Sequence, residues 1–320
     1  MSVPAVAAVA FAVAVVLTPL MIVVARRSGI VDRPGALKSQ KTPVPYLGGV
    51  AVLAGTAVGV LSGRPSALVP LAAALVLGVA DDRFDLPAPA RLAGEVGIGA
   101  IVVATCPVHL AGALAAILVV MVTVVMINGV NLIDGLDLLA GGVGAVAALA
   151  FAVLLHGSGR LTAVALAAAL VGFLVFNRPP ARIYLGDGGA YLVGTTLAVL
   201  VAEAWGPHRP ARFGVAALAV VSVPVAELAC AMVRRVRAGT SVMAGDRGHP
   251  YDRLVTRGWP RPVASLTYVG IQAVLATGAV LVAYHATFGV AVAYDLATAA
   301  LLVGLAARAG GLTPDQVGDS

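Results

Sequence analysis

The segment AILVVMVTVVMINGVNLIDGLDLLAGG, residues 116–142, is an apolar run that ends in a cluster of polar side chains. The cluster contains two carboxamides and two carboxylates, those of Asn128, Asn131, Asp134 and Asp137. About 20 mostly apolar residues cross the roughly 30 Å hydrocarbon core of a bilayer as a helix. The run therefore predicts a membrane-spanning helix. Because polar groups are costly inside hydrocarbon, we expect the cluster to lie at the end of that helix and to have a function.

The composition of the whole chain indicates a membrane protein. Of its 320 residues, 60% are hydrophobic and 11% are charged, and the mean hydropathy is +0.99. These values predict an all-α, polytopic integral membrane bundle that forms a single domain, residues 1–320. We place eleven spans, or ten if the short fourth segment is not counted, at residues 3–24, 47–61, 67–80, 92–105, 111–127, 140–155, 161–176, 190–204, 214–232, 263–284 and 288–306.

The distribution of basic residues orients the predicted bundle. The first loop, residues 26–41, contains five basic residues and one acid. The positive-inside rule places such a loop in the cytoplasm, so the amino terminus lies outside. Alternation along the spans then puts five loops on the cytoplasmic face of the cell membrane, residues 26–49, 81–95, 128–142, 177–190 and 234–262. The same rule explains the net charge of +6, so this charge does not indicate a nucleic-acid partner.

Carboxylates recur in these predicted cytoplasmic loops. Asp81 and Asp82 end the third span, and Asp187 lies between glycines just ahead of the eighth. Asp134 and Asp137 are three residues apart, so they share one face if this segment is a helical turn. A solvated helix end explains a single acid of this kind. Three such clusters on one membrane face instead favour a functional site.

The last predicted cytoplasmic loop is basic. It contains the stretch DRGHPYDRL, residues 246–254, and further arginines on both sides. Carboxylate oxygens are hard ligands that bind Mg²⁺, and guanidinium groups bind phosphate in forked pairs. Acids and arginines on one membrane face therefore indicate a divalent cation, Mg²⁺ or Mn²⁺, together with a phosphate-rich substrate. For each arginine taken singly, the positive-inside rule is an alternative explanation, because basic residues are enriched in cytoplasmic loops.

Glu227 differs from the other acids because it lies inside the ninth predicted span. It precedes Arg234 by seven residues. An acid within a membrane helix usually has a partner, so we expect one for Glu227.

Four motifs occur in a characteristic order: DDRFDLP (81–87), NGVNLIDGLD (128–137), FNRPPARIYLGDGGAYLVG (176–194) and DRGHPYDRL (246–254). With this order and spacing the chain resembles the polyprenyl-phosphate N-acetylhexosamine-1-phosphate transferases. The resemblance covers most of the chain. It implies a multi-span enzyme with a cytoplasmic active site that transfers a sugar 1-phosphate from a UDP-sugar to a polyprenyl phosphate and releases UMP. This reaction would initiate a cell-wall or envelope polysaccharide, and homodimerisation is left open.

The resemblance also implies roles for individual residues. Asp81 and Asp82 match an acidic pair that positions or deprotonates the lipid phosphate, and with Asp187 they are the predicted catalytic residues. Asp187 matches a magnesium ligand, with Asp82 as its predicted companion. The predicted substrate-binding residues are Lys38, Asn128, Asn131, Asp134, Asp137, Asn177, His249 and Arg253. Direct in-line attack and a two-step route through an aspartyl phosphate both fit these residues.

The chain departs from the family pattern at several motif positions. Leu138 replaces the second glycine of the family's DGLDGLA, and Ala190 replaces the serine of GDxGS. In the basic loop His249 is kept, but Tyr251 and Asp252 replace histidines. The loss of a histidine run favours N-acetylglucosamine 1-phosphate as the transferred group over phospho-N-acetylmuramoyl-pentapeptide, which is the alternative donor group.

Two further hypotheses belong to other classes of protein. An ion-coupled transporter would also place acids in membrane helices, but near mid-bilayer and in inverted repeats. A non-catalytic homologue that acts as a scaffold would not need to keep the acids of all three motifs.

Overall fold

The protein is almost entirely helical in the computed structural model, which describes residues 1–33, 42–106, 112–206, 209–243 and 248–314. Within these ranges there are thirteen α-helices: α1 (Val3–Ser28), α2 (Gly48–Gly63), α3 (Leu68–Phe84), α4 (Ala88–Thr105), α5 (Ala113–Ile133), α6 (Leu139–Leu154), α7 (Gly157–Asn177), α8 (Gly186–Ala204), α9 (Ala211–Val220), α10 (Ser222–Arg237), α11 (Pro250–Thr256), α12 (Arg261–His285) and α13 (Phe288–Arg308). Two short strands, β1 (Val31–Asp32) and β2 (Val44–Pro45), form an antiparallel pair.

The prediction of an all-α, polytopic membrane protein is confirmed. Over its described residues, each of the eleven predicted spans coincides with one helix, except the ninth, which falls on two. Six helices of the described ranges are long and apolar enough to cross a membrane, namely α1, α4, α5, α7, α12 and α13, and the bent pair α9 and α10 passes the same test. The other four predicted spans coincide with α2, α3, α6 and α8, which are shorter or more polar. The orientation of the termini and the cytoplasmic position of the site stay predictions.

The ninth predicted span is interrupted. Where the sequence predicted one segment, residues 214–232, the structure has α9 and α10, which are bent by 61°. Pro224 lies in the first turn of α10 and has no N–H to donate to the carbonyl four residues earlier. The helix therefore ends at Val220 and begins again at Ser222 with a new direction.

Helix α8 is the centre of the bundle. All its residues are buried except Asp187, Ala202 and Glu203, and it packs against α3, α5 and α2. The packing around its first turn requires glycine. A β-carbon at Gly78 of α3 would lie 2.4 Å from the carbonyl carbon of Asp187, and one at Gly49 of α2 would lie 2.5 Å from the α-carbon of Gly189. This close approach brings the ends of neighbouring helices to the start of α8.

The outer surface of the bundle is apolar, as expected for contact with lipid. Val16 of α1, Val274 of α12 and Leu296 of α13 expose 70%, 71% and 67% of their surface. Such a surface would be unusual on a soluble protein. It agrees with a bundle whose polar groups are turned inward or lie at helix ends.

Candidate active site

Asp82, at the end of α3, caps the amino-terminal end of α8. Its Oδ1 accepts a hydrogen bond from the backbone N–H of Asp187 at 3.1 Å, and its Oδ2 accepts one from that of Gly188 at 3.3 Å. The first N–H groups of a helix have no partner within the helix and carry partial positive charge, so they favour a carboxylate. The first and third acidic motifs therefore meet at the start of α8.

Asp187 also contacts the second motif. Asn131, in the last turn of α5, donates from Nδ2 to Oδ1 of Asp187 over 2.6 Å. Asp187 is one of the few incompletely buried residues of α8. Its carboxylate thus lies between the polar end of α5 and the acidic end of α3.

Asp134 completes the acidic group. It follows α5 directly, and its carboxylate accepts a hydrogen bond from the backbone of Gly186. Burial raises the pKa of Asp134 well above its usual range, and the negative charges of Asp187, Asp82 and Asp137 raise it further. The acids that three separate motifs contribute therefore share one electrostatic environment, as the sequence predicted.

Asp81 has different hydrogen-bond partners from Asp82. Its Oδ2 accepts a hydrogen bond from the Tyr191 hydroxyl at 2.7 Å and lies 3.4 Å from the Arg91 guanidinium. Its Oδ1 accepts from the backbone N–H of Leu86 at 3.0 Å. The two neighbouring acids thus hold different elements: Asp82 holds the start of α8, and Asp81 joins α3 to α4 and to the next turn of α8.

Asp137 and Asn177 join the loop after α5 to the loop after α7. Oδ2 of Asp137 accepts from the N–H of Ala181 at 3.0 Å. Asn177 is buried; its Oδ1 accepts from the N–H of Leu138 at 2.8 Å, and its Nδ2 donates to the carbonyl of Ile183 at 2.9 Å. Both side chains hold the backbone around the acidic group, and their direct contact with substrate stays a prediction.

Leu138 occupies a backbone position that favours glycine. Its φ is 71°, in the left-handed region, where a branched or bulky side chain is strained. This is the position at which the chain departs from the family's DGLDGLA. The leucine is held there by the hydrogen bond to Asn177.

Asn128 is not part of the acidic group. Its Nδ2 donates to Oε2 of Glu95 at 2.5 Å and to the carbonyl of Val124 at 2.9 Å. These contacts direct it toward α4 and its own helix. Its predicted substrate contact therefore has less structural support than that of Asn131.

His249 immediately precedes α11, and Nδ1 of its ring lies 2.9 Å from Oε1 of Glu227 in α10. The ring stacks on that of Tyr251, with centroids 5.2 Å apart and planes inclined by 5°. The Tyr251 hydroxyl donates to the carbonyl of Leu132 at 2.7 Å. The basic loop is thereby attached to the segment that carries Asn131 and Asp134.

The remaining predicted substrate-binding residues are Arg253 and Lys38. Nη2 of Arg253 donates to the carbonyl of Thr313 at 3.4 Å, which directs this part of its guanidinium toward the chain after α13. Lys38 lies outside the described residues.

Several residues around the acidic group were not predicted as site residues. Tyr191 is four residues after Asp187, a spacing that places both on one face of α8 and could have indicated it. Tyr46 follows the first loop and donates to Asp32; burial raises the pKa of Tyr46, and the negative charges of Asp32, Asp82 and Asp187 raise it further. Nothing local in the sequence connects Tyr46 with these acids.

The donor atoms of the acidic group fit the predicted Mg²⁺. Among the described residues, no three or more His, Cys, Asp and Glu side chains are arranged to hold a metal ion by themselves. Mg²⁺ commonly uses one or two carboxylates and takes its other ligands from water and substrate phosphates. Asp82 and Asp187 supply hard oxygens of this kind. Burial and the neighbouring negative charges raise the pKa of Asp134, and a bound cation would offset the repulsion between these charges.

Comparison with known proteins identifies relatives over most of the chain. Residues 65–204 match the family described as Glycosyl transferase family 4. The chain is 31% identical to the decaprenyl-phosphate N-acetylglucosaminephosphotransferase of Mycobacterium leprae (strain TN), over 80% of this chain and 78% of that protein. It is 28% identical to the probable undecaprenyl-phosphate N-acetylglucosaminyl 1-phosphate transferase of Bacillus subtilis (strain 168), over 76% and 74%. It is 27% identical to the undecaprenyl-phosphate alpha-N-acetylglucosaminyl 1-phosphate transferase of Escherichia coli (strain K12), over 82% and 78%.

Proposed function

This chain belongs to glycosyl transferase family 4, and we propose on that basis that it transfers N-acetylglucosamine 1-phosphate from UDP-N-acetylglucosamine to a polyprenyl phosphate in the cell membrane. The relatives from three bacteria are named for this transferred group and for a decaprenyl or undecaprenyl phosphate. The product would be a lipid-linked sugar that initiates a cell-wall or envelope polysaccharide, and UMP would be released.

The observation that carries this proposal is the meeting of three acidic motifs at the start of α8. Asp82 caps the helix, Asp134 accepts from Gly186, and Asn131 donates to Asp187. A site for phosphoryl transfer must hold a diphosphate and a nucleophile in line and must compensate their charge. The acids lie at helix ends rather than at mid-helix, which does not match the arrangement expected of an ion-coupled transporter.

The reaction requires one bond to form and one to break. An oxygen of the polyprenyl phosphate attacks the β-phosphorus of the UDP-sugar, and the bond from that phosphorus to the bridging oxygen breaks to release UMP. Asp82 and Asp187 are the residues that would hold Mg²⁺. Bound there, the ion would neutralise negative charge on the diphosphate.

The remaining residues of the site have positioning tasks in this proposal. Asn131 and Asp134, at the polar end of α5, would hydrogen-bond the uridine part of the donor. Asp137 and Asn177 hold the loops on which these groups lie. Asp81 would fix the end of α3 through Tyr191 and Arg91, so that Asp82 stays directed at the start of α8.

A reconstituted assay tests the proposal. The purified protein would be incubated with Mg²⁺, a long cis-polyprenyl phosphate and either UDP-N-acetylglucosamine or UDP-N-acetylmuramoyl-pentapeptide. We expect lipid-linked product and an equal amount of UMP with the first donor only. Turnover of the second donor without the first would show that the transferred group is wrong. Absence of lipid-linked product with both donors would contradict the reaction class.

A further inference from the structure

A buried contact between an acid and a histidine joins α10 to the basic loop. Glu227 and His249 expose only 3% and 5% of their surface, and Oε1 of Glu227 lies 2.9 Å from Nδ1 of His249. Glu227 thus has the partner that its position inside a membrane helix predicted. Arg234, two turns further along α10, is also buried and donates from Nη1 to the carbonyl of Gly311 at 2.7 Å.

The contact with Glu227 determines which ring nitrogen of His249 carries a proton. A carboxylate is only an acceptor, so a nitrogen 2.9 Å from it must be the donor. Nη2 of Arg234, which can only donate, lies farther from the same nitrogen, at 3.4 Å, so the shorter contact with Glu227 determines the tautomer and Nδ1 is protonated. A histidine that acts on a substrate is commonly fixed in this way by a group on its other nitrogen.

Tyr251 determines where the fixed ring lies. Its ring stacks on that of His249, and its hydroxyl donates to the carbonyl of Leu132 at 2.7 Å. Gly135 permits this approach, because a β-carbon there would lie 2.3 Å from the Tyr251 hydroxyl oxygen. The imidazole is thus held from one side by Glu227 and from the other by a residue attached to the loop of Asp134.

We propose that Glu227 is a positioning residue that fixes the His249 ring with Nδ1 protonated, in the orientation that the ring needs to meet a phosphate of the donor substrate. This rests on the function proposed above. Glu227 lies in α10, a different helix from those that carry the acidic group, and its proposed effect on the reaction is exerted through His249. It makes α10 part of the phosphate-binding side of the site.

Steady-state kinetics of the full-length protein test this role with UDP-N-acetylglucosamine, polyprenyl phosphate and Mg²⁺. We expect Glu227→Gln to lower kcat by about 100-fold, the effect of misplacing a group by about 1 Å, with little change in the KM of the nucleotide sugar. Glu227→Asp should restore part of kcat. In a His249→Ala background, Glu227→Gln should change kcat by less than about threefold, because two residues that act as one unit are not additive.

A matched control separates this role from simple loss of a buried acid. Glu203, at the far end of α8, is a partly buried acid that forms an ion pair with Arg64. Glu203→Gln should lower thermal stability while kcat stays near the wild-type value. The proposal is overturned if Glu227→Gln lowers kcat by the same factor in the presence and in the absence of His249. It is also overturned if Glu227→Gln alone retains the wild-type kcat. If the acid is needed for folding and Glu227→Gln is not recovered as folded protein, Glu227→Asp provides the test. Its side chain is shorter by one methylene, so a wild-type kcat for Glu227→Asp would overturn the proposal.

A spectroscopic measurement does not depend on turnover. In protein labelled with ¹⁵N-histidine, the His249 signals are assigned by their loss in His249→Ala. We expect a protonated Nδ1 in the wild type and a larger fraction of the other tautomer in Glu227→Gln. An unprotonated Nδ1 in the wild type would overturn the proposed positioning even if the enzyme is active. If Nδ1 is protonated but the protein is inactive with both nucleotide sugars, the proposed function is wrong and the tautomer of His249 is as proposed.

Discussion

The hydroxyl of Tyr191 donates a hydrogen bond to Oδ2 of Asp81 over 2.7 Å, and this bond joins the second turn of α8 to the end of α3. Asp82, the next residue of α3, accepts from the N–H groups of Asp187 and Gly188 in the first turn of the same helix. Two adjacent acids therefore fix α3 against two successive turns of α8. We therefore expect the position of Asp82 in the site to depend on the bond that Asp81 makes.

Removal of the Tyr191 hydroxyl should weaken this arrangement. In Tyr191→Phe the buried Oδ2 of Asp81 loses its closest donor, which costs about 1–3 kcal/mol of unfolding free energy. We expect a lower melting temperature in detergent and a kcat reduced about tenfold, because the end of α3 is less well fixed. Tyr294→Phe is the matched control, since its hydroxyl donates to the carbonyl of Leu275 at 2.8 Å in another part of the bundle. Equal effects of both changes on kcat would contradict a specific role for Tyr191.

Replacement of Asp187 tests the predicted metal ligand. Asp187→Asn keeps the size of the side chain but removes an anionic oxygen, so we expect activity to fall by about two orders of magnitude or more while the protein still inserts. Excess chelator should stop the wild-type enzyme, and added Mg²⁺ or Mn²⁺ should restore it. Turnover at the wild-type rate in excess chelator would rule out this role.

A second Asp→Asn change serves as the control. Asp85 is exposed at the end of α3 and has a φ of 50°, a conformation that asparagine also adopts. Asp85→Asn should therefore leave stability and activity nearly unchanged. A loss as large as that of Asp187→Asn would mean that negative charge at this membrane face matters in general.

The sequence predicted the helices and the convergence of the acids for simple physical reasons. Long apolar runs must be helical in a membrane, and their alternation brings every second loop to the same side. The prediction that Asp82, Asp134 and Asp187 lie on one membrane face followed from this alternation, whereas their contacts at the start of α8 did not. The break before Pro224 had a local signal that the prediction of a single span did not use.

Contacts between distant residues could not be predicted in the same way. The capping of α8 by Asp82 depends on the close packing at Gly78, which places α3 beside the first turn of α8. A partner was expected for Glu227, but the sequence could not identify it as His249. This contact depends on how the chain folds back against α10. Neither hydrophobic periodicity nor the spacing of residues along the sequence indicates which distant residues are in contact.

Leu138 offers a test of backbone strain near the site. Its φ of 71° is unfavourable for residues with a β-carbon by roughly 1–2 kcal/mol, whereas glycine adopts it freely. The leucine is only half-buried, so its removal loses few packing interactions. We expect Leu138→Gly to raise the unfolding free energy by up to about 1 kcal/mol. Leu138→Val should lower it, since a β-branched side chain is strained further there. Thermal melts in detergent would show whether glycine is the more stable of the two, and the opposite order would contradict the strain.

Cysteine labelling tests the predicted orientation. Cys106 and Cys230 are buried and would first be replaced by alanine. Ser241 is exposed and follows the basic end of α10, so Ser241→Cys should react with a membrane-impermeant maleimide only from the cytoplasmic side. Ser158 lies at the start of α7, next to Gly159, where a β-carbon would touch Glu203 at the far end of α8 from Asp187. Ser158→Cys should therefore be labelled only from outside, in intact cells. Labelling with the opposite sidedness would place the acidic group on the outer face, where a cytoplasmic UDP-sugar could not reach it.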